Sequence, residues 1–249
     1  MPARNIVIGD IHGCSLAFNE LLRGIGPKPG DTVVTLGDYV DRGIDSQGVL
    51  ELLLGLESRC NLIPVLGNHD ELMLAARRSH SAYRRWLEHG GITTLQSYGD
   101  SERMTSIPKR HFQFLEGCRD YYETDSHIFV HASYDPALLL DQQDVATLRW
   151  RSLDDGLPAR HQSGKVAVLG HSPQRDILDL SHLIAIDTGC GIGGLLTAID
   201  LTTGDIWQVD ELGRQRNFRA AANPGVYGSS RFQTRTEKSH VSRTQRRRV

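Results

Sequence analysis

Long apolar runs and paired cysteines are missing from this sequence, and both absences narrow the class of protein. No stretch of the 249 residues approaches the roughly 18 apolar residues that a membrane-spanning helix needs, so we expect no membrane contact. The four cysteines show no CxxC spacing, which argues against a zinc ribbon or a disulfide scaffold and favours buried thiols. No basic segment followed by an apolar segment opens the chain, so we expect a cytoplasmic protein without a secretory signal.

Charge is unevenly distributed along the chain. The formal net charge is −2, yet from residue 228 onward there are seven basic residues and one acidic residue. This segment has too few apolar side chains to offset the entropy that folding costs. We therefore predict one domain over residues 1–215 and a basic, disordered tail over residues 216–249. The tail is either a solvated appendage or a contact for a nucleic acid or an acidic partner.

Short β-branched runs alternate with helical patterns in the first part of the domain, and the later strands come in pairs. The pattern predicts strands at 5–10, 32–38 and 61–68, separated by helices at 15–25 and 46–56 and followed by a long helix at 71–89. A Thr-Thr-Gly turn separates two further strands at 195–201 and 205–209. This order predicts a mixed α/β sandwich with helices outside and ligands at the carboxyl ends of the strands.

Five short motifs place oxygen or imidazole side chains directly after β-forming runs. They are GDIHG at 9–13, GDYVDRG at 37–43, GNHD at 67–70, VHA at 130–132 and GHS at 170–172. Asp10 and His12 lie two apart on an extended segment, so their side chains point the same way. Carboxylate and imidazole ligands suit Mn, Fe or Zn, and the two oxygens of Asp38 can bridge two ions. With these three residues, Asn68, His131 and His171 complete a candidate ligand set for two metal ions.

This set of motifs resembles the metal-dependent phosphoprotein phosphatases within the calcineurin-like metallophosphoesterases. The resemblance runs from about residue 6 to residue 201, and the stretches at 86–91, 94–99 and 187–198 are similar to its bacterial branch. It implies a single domain with a central β-sandwich flanked by helices. It also implies two divalent ions, Mn first, with Fe, Zn or Ni as alternatives. By resemblance, the first ion is held by Asp10, His12 and Asp38, and the second by Asp38, Asn68, His131 and His171.

The resemblance also assigns catalytic roles around those ions. A hydroxide that bridges the two ions attacks phosphorus in line, without a phosphoenzyme. His69 is the candidate general acid, and Asp41 would orient its imidazole and keep it protonated. Arg42 can hold phosphate oxygens through two parallel hydrogen bonds. A second phosphate-binding arginine is expected between the two histidine motifs, with Arg151 as the first candidate and Arg149 as the alternative.

Three departures from the family pattern concern the substrate rather than the reaction. Leu66 stands where the protein phosphatases often have arginine, Asp70 where glutamate is commoner, and Ser133 where glycine is usual. The first hypothesis is a serine/threonine protein phosphatase acting on phosphorylated proteins or small phosphoesters. The alternatives are a symmetrical diadenosine tetraphosphate hydrolase and an inactive phosphate-binding regulator. The third fits poorly, because the chain retains every candidate ligand and the candidate acid.

Overall fold

Two β-sheets stack face to face, and helices cover their outer faces. The structure, a computed structural model, describes residues 3–100 and 102–219. The strands are β1 (Asn5–Ile8), β2 (Thr32–Thr35), β3 (Asn61–Pro64), β4 (Tyr121–Glu123), β5 (His127–Val130), β6 (Val166–Leu169), β7 (Leu178–Asp179), β8 (Leu183–Ala185), β9 (Leu195–Asp200), β10 (Ile206–Asp210) and β11 (Gln215–Arg219). The α-helices are α1 (Ser15–Ile25), α2 (Ser46–Leu56), α3 (Asn68–Ala76), α4 (His80–Trp86), α5 (Ile92–Ser97), α6 (Lys109–Glu116) and α7 (Val145–Trp150).

Each sheet combines three parallel strands with antiparallel ones. The first sheet has the order β11-β10-β9-β1-β2-β3, in which β1, β2 and β3 are parallel and β9, β10 and β11 form antiparallel pairs. The second has the order β4-β5-β6-β8-β7, with β5, β6 and β8 parallel and an antiparallel strand at each edge. The predicted mixed α/β sandwich is therefore confirmed.

Alternate residues of the central strands face different cores, which is why three successive residues of each strand are apolar. In β1, Val7 packs between the two sheets, whereas Ile6 and Ile8 pack under the helices of the first sheet. In β5, Phe129 enters the core between the sheets, and its neighbours enter a third core on the outer face of the second sheet. A strand segment that is buried on both faces needs apolar residues at successive positions. The sequence at 6–8 and 128–130 meets that need.

The predicted long helix at 71–89 was wrong, because the chain breaks after α3. Ser79 adopts an extended conformation and its hydroxyl accepts a hydrogen bond from the Ala82 amide at 3.2 Å, which caps a separate helix α4. A π-helical turn over Leu87–Gly91 then follows, with Gly90 at a φ of 110°. A serine cap inside a charged run is a local signal that the helical periodicity concealed.

The last described strand crosses the predicted domain boundary at residue 215. Strand β11 pairs with β10 and carries the sheet through residues 216–219, past residue 215. Residues 220–249, which include most of the predicted tail, lie outside the described residues. Among the helices of residues 3–100 and 102–219, none has the length and apolar character required to cross a bilayer.

Candidate metal centre

The turns after five strands bring the candidate ligands to one edge of the sandwich. Parallel strands end at the same side of a sheet, and β1, β2 and β3 deliver the first three motifs while β5 and β6 deliver the two histidine motifs. All six candidate ligands have at most a few per cent of their surface exposed, except the half-buried His171. The structure therefore gathers side chains separated by up to 161 positions, such as Asp10 and His171.

Backbone strain is concentrated in these same turns. Six non-glycine residues in the described part of the chain have positive φ, and five belong to the motifs: His12 (44°), Asp38 (50°), Asp41 (71°), Arg42 (64°) and His171 (64°). Left-handed conformations cost side-chain-bearing residues free energy and persist where the surrounding structure imposes them. The sharp turns aim these side chains back into one cleft.

Asp38 lies between two groups of imidazoles. Its Oδ2 is 3.3 Å from His12 Nε2, and its Oδ1 is 3.4 Å from His131 Nε2. Two clusters of candidate ligand atoms share it, each lying within 4.8 Å: one adds His12 and His69, the other adds His131 and His171. The four neighbouring imidazoles lower the pKa of Asp38 below its usual range, although burial alone would raise it. Asp38 is therefore a carboxylate available to both clusters.

The ring nitrogens that face the cleft carry lone pairs. His12 Nδ1 donates to the Val40 carbonyl at 3.1 Å, His131 Nδ1 to the Leu36 carbonyl at 2.7 Å, and His171 Nε2 to the Trp150 carbonyl at 3.1 Å. A carbonyl oxygen only accepts, so the proton of each neutral ring sits on that nitrogen. Burial lowers the pKa of His12 to about 3 and of His131 to about 4, and it also lowers that of His171. The opposite nitrogen of each ring is a free acceptor.

These acceptor atoms lie close together with no donor hydrogen between them. Such a group of lone pairs suits a cation. Asn68 Oδ1, itself an acceptor, lies 2.9 Å from His131 Nε2 and 3.0 Å from His171 Nδ1. Asp10 Oδ1 is buried and has no hydrogen-bond partner among the described residues. Unpaired buried acceptors are costly unless an ion satisfies them. The imidazole, carboxylate and amide donors therefore fit divalent metal ions.

Glycines let the backbone approach these carboxylates. A β-carbon on Gly170 would overlap Asp10 Oδ1, and one on Gly67 would overlap Asp38 Oδ1. The His171 amide, next to Gly170, donates to Asp10 Oδ2 at 2.9 Å. The glycines that precede His171 and Asn68 are thus required by close packing, which explains their place in the pattern.

His69 faces the same cleft but belongs to a different network. Its Nδ1 donates to Asp41 Oδ2 at 2.9 Å, and the other carboxylate oxygen of Asp41 accepts from Trp86 Nε1 at 3.0 Å and Thr94 Oγ1 at 2.7 Å. Burial opposes a charge on His69, but Asp38 and Asp41 outweigh it and raise its pKa. A protonated imidazole is a proton donor and a poor metal ligand. The structure therefore distinguishes His69 from the other clustered imidazoles.

The donors Trp86 and Thr94 were missed as functional residues in the sequence. They lie 45 and 53 positions from Asp41, in stretches that the sequence singled out without a role. The only available signal was their polar atoms within otherwise helical segments. Their hydrogen bonds fix the carboxylate of Asp41, with Thr94 on Oδ1 and Trp86 shared between the two oxygens, so that Oδ2 meets His69.

Arg42 is exposed beside this network, and its Nη2 lies 3.4 Å from His69 Nε2. When His69 is protonated, two hydrogen-bond donors face each other with positive charge on both. Such a pair is stabilised by an anion between or above them. Arg42 and His69 thus place two N–H donors side by side, where an anion would stabilise both.

The two arginines at the end of α7 have different environments. Arg149 is tied to Glu71 at 2.7 Å and to Asp120, with its side chain 12% exposed. Arg151 is exposed and lies in the extended segment that follows Trp150. Its guanidinium has no ion pair or hydrogen bond with the described residues. Arg149 is therefore committed to structural contacts, whereas Arg151 is free to meet a ligand.

The structure shows the surroundings of the three residues that depart from the family pattern. Leu66 is buried in the helix-side core, so no cation stands at that position. Asp70 is buried and accepts from the Tyr39 and Gly67 amides at 2.9 and 3.0 Å, which ties together the turns that carry Asp38 and Asn68. The Ser133 hydroxyl is buried with no partner among the described residues. The first two departures leave the ligand geometry intact.

One further acidic residue lies next to the ligands. Asp187 follows β8, is 2% exposed, and accepts from the Gly189 amide at 2.9 Å. Burial and the nearby Asp38 raise its pKa to about 6, and its charge in turn adds to the burial that raises the pKa of Asp10. The sequence indicated this position only as part of a Gly-rich stretch. Its proximity to Asp10 became visible only in the fold.

Comparisons with known proteins agree with this geometry. The family model described as calcineurin-like phosphoesterase matches residues 3–209. A serine/threonine-protein phosphatase 1 of Salmonella typhimurium is 32% identical over 201 residues, covering 77% of this chain and 88% of the relative. An asymmetrical bis(5'-nucleosyl)-tetraphosphatase of Geobacillus sp. is 28% identical, covering 77% and 88%. A solved structure provisionally named a diadenosine tetraphosphatase superposes with a TM-score of 0.64 at 26% identity, covering 84% of this chain and 95% of that one.

Proposed function

We propose that this chain, which belongs to the calcineurin-like phosphoesterase family, is a serine/threonine protein phosphatase with a two-metal centre. The single observation that carries the proposal is Asp38, whose two oxygens face separate imidazole clusters at 3.3 and 3.4 Å. One carboxylate between unprotonated His12 on one side and unprotonated His131 and His171 on the other is the arrangement that two adjacent cations need.

The ligands divide between the two ions as the family resemblance implies. Asp10, His12 and Asp38 would hold one ion. Asp38, Asn68, His131 and His171 would hold the other. When bound, the ions supply Lewis acidity, which neutralises phosphate charge and makes water acidic enough to attack phosphorus at neutral pH. Manganese is the proposed metal, and the same donors accept Fe, Zn or Ni.

The residues around the ions would handle the substrate and its proton. Arg42 holds phosphate oxygens at the rim, and Arg151 approaches from the end of α7 as the second arginine. His69 gives the proton on its Nε2 to the departing alkoxide and regains one from water. Asp41 keeps that imidazole charged and fixed through the 2.9 Å hydrogen bond to Nδ1. The reaction ends with an alcohol, inorganic phosphate and a reprotonated His69.

Protein substrates are favoured by two observations. The Salmonella protein phosphatase is more similar in sequence than the nucleosyl-tetraphosphatase, at 32% against 28% identity. Arg42 also faces the cleft directly beside His69, at 3.4 Å, where a phosphomonoester would need both. The second candidate is a dinucleoside tetraphosphate hydrolase. The buried Leu66 favours it, because it removes a cation that the protein phosphatases often carry at that position.

A side-by-side rate comparison tests the substrate. A manganese-loaded preparation with a measured metal content is given a phosphothreonine peptide and diadenosine tetraphosphate, with His69→Asn as the control for a contaminating activity. The proposal expects a much larger kcat/KM on the peptide, lost in the control. A larger value on the nucleotide would move the chain to the second candidate, and the products would show whether the cut is symmetrical. Turnover of neither, with two ions bound, would refute both.

A further inference from the structure

We propose that Glu71 is a positioning residue that holds the metal-facing nitrogen of His171 in place through the end of helix α7. The inference rests on the two-metal centre proposed above. Glu71 lies on α3, three residues after Asn68, so both residues occupy one face of that helix. One helix therefore carries a candidate ligand for the second ion and, one turn on, a carboxylate directed at α7.

Both carboxylate oxygens of Glu71 accept a hydrogen bond, each from a different residue of α7. Oε1 accepts from Arg149 Nη1 at 2.7 Å, and Oε2 accepts from Trp150 Nε1 at 2.7 Å. Arg149 also pairs with Asp120, and Arg85 lies over the Trp150 ring at 5.2 Å from its centroid. The last turn of α7 is therefore fixed to α3 by two hydrogen bonds to the Glu71 carboxylate, one from a guanidinium and one from an indole N–H.

Helix α7 depends on such contacts. It has six residues, and its N-cap Asp144 makes no side-chain capping hydrogen bond. Helices shorter than about 12 residues are marginal on their own, so tertiary contacts decide where this one ends. The chain turns to an extended conformation at Arg151 (φ −71°, ψ 113°). The Trp150 carbonyl is thereby left without an intrahelical partner.

That carbonyl is the acceptor for His171. His171 Nε2 donates to it at 3.1 Å, which places the ring proton on Nε2 and the lone pair on Nδ1, 3.0 Å from Asn68 Oδ1. The contacts form a closed loop from Asn68 to His171, to Trp150, to Glu71 and back along α3. Groups that hold the far nitrogen of a ligating histidine set its orientation and basicity. Glu71 holds the side chain of Trp150, the residue whose carbonyl accepts the hydrogen bond from His171.

The test measures metal binding, with cobalt(II) as a visible probe of the two ions and manganese as the activating ion. Glu71→Ala is expected to lower the affinity for one of the two ions about 10- to 100-fold and to leave the affinity for the other unchanged. The cobalt absorption spectrum is expected to change for that ion alone. Trp150→Phe keeps an aromatic ring but removes the N–H donor, and it should lower the affinity for the same ion. Glu71→Gln keeps an acceptor for Trp150 and should restore most of the affinity.

Asp120→Ala is the matched control, because it removes the other carboxylate on Arg149 without touching Trp150. It is expected to change thermal stability as Glu71→Ala does, while both ions bind as in the wild type. Glu71→Ala with two wild-type affinities, or Asp120→Ala with equal weakening of the same ion, would overturn the positioning role. A wild-type protein that binds fewer than two ions would instead overturn the two-metal proposal itself, so the two failures are distinguishable.

Discussion

An Asp41→Asn substitution removes one charge from a fully buried carboxyl group whose oxygens accept from His69, Trp86 and Thr94. The carboxylate only accepts hydrogen bonds, whereas the amide must direct an N–H at one of these donors. The variant therefore loses at least one buried hydrogen bond, at a cost of about 1–3 kcal/mol in the free energy of unfolding. A thermal melt of the metal-loaded protein measures that cost.

The larger effect falls on the proton of His69. A hydrogen bond to a charged partner is worth about 1.5–3 kcal/mol, and about 1.4 kcal/mol corresponds to one pKa unit. The pKa of His69, raised in the wild type by Asp38 and Asp41 against burial, should therefore fall in the variant. His69 acts as an acid only while protonated, so kcat is lost as the pH rises through that pKa. The alkaline limb of the kcat profile should move to lower pH by the same amount.

The assay compares two leaving groups over a pH series. A phosphothreonine peptide releases an alkoxide that needs a proton, whereas an aryl phosphate with an acidic phenol does not. At a pH above the wild-type pKa of His69 we expect a loss of up to about 10- to 100-fold on the peptide and a much smaller loss on the aryl ester. Metal content and KM are measured in parallel to exclude a collapsed site. An unmoved alkaline limb, or equal losses on both substrates, would refute the role assigned to Asp41.

Two further substitutions test the rim and the packing of the centre. Arg151→Ala should raise KM for the phosphopeptide about tenfold, since one charged hydrogen bond is worth roughly 1.5 kcal/mol or more. The exposed Arg160→Ala is the control, and equal effects of the two would argue against a phosphate contact. Gly170→Ala places a β-carbon onto Asp10 Oδ1 and should reduce bound metal below two ions per chain, as elemental analysis would detect. Gly55→Ala, in open space on a helix, is the control and should be neutral or stabilise the fold by up to about 1 kcal/mol. Full metal occupancy in the Gly170→Ala variant would contradict the packing argument.

The amino-acid sequence by itself determined the order of the elements and the chemistry at their ends. β-branched runs such as 6–8 and 33–35 are buried on both faces, and the glycine and aspartate that follow end them in loops. Those are local properties, so they are readable without the fold. Because parallel strands end at one edge, the side chains after them were expected to meet, and the structure brings Asp10, Asp38 and His131 together there.

Only the tertiary structure decided which of several chemically equivalent side chains is held by neighbouring elements and which is left exposed. Arg149 and Arg151 are two residues apart with the same functional group, and the contacts of Arg149 with Glu71 and Asp120 from other elements separate them. The donors that hold Asp41 likewise come from 45 and 53 positions away. Residue type and spacing specify what a side chain can do. Its partners are specified by packing between distant segments, because a buried charge or donor takes its orientation from whichever group the folded chain places beside it.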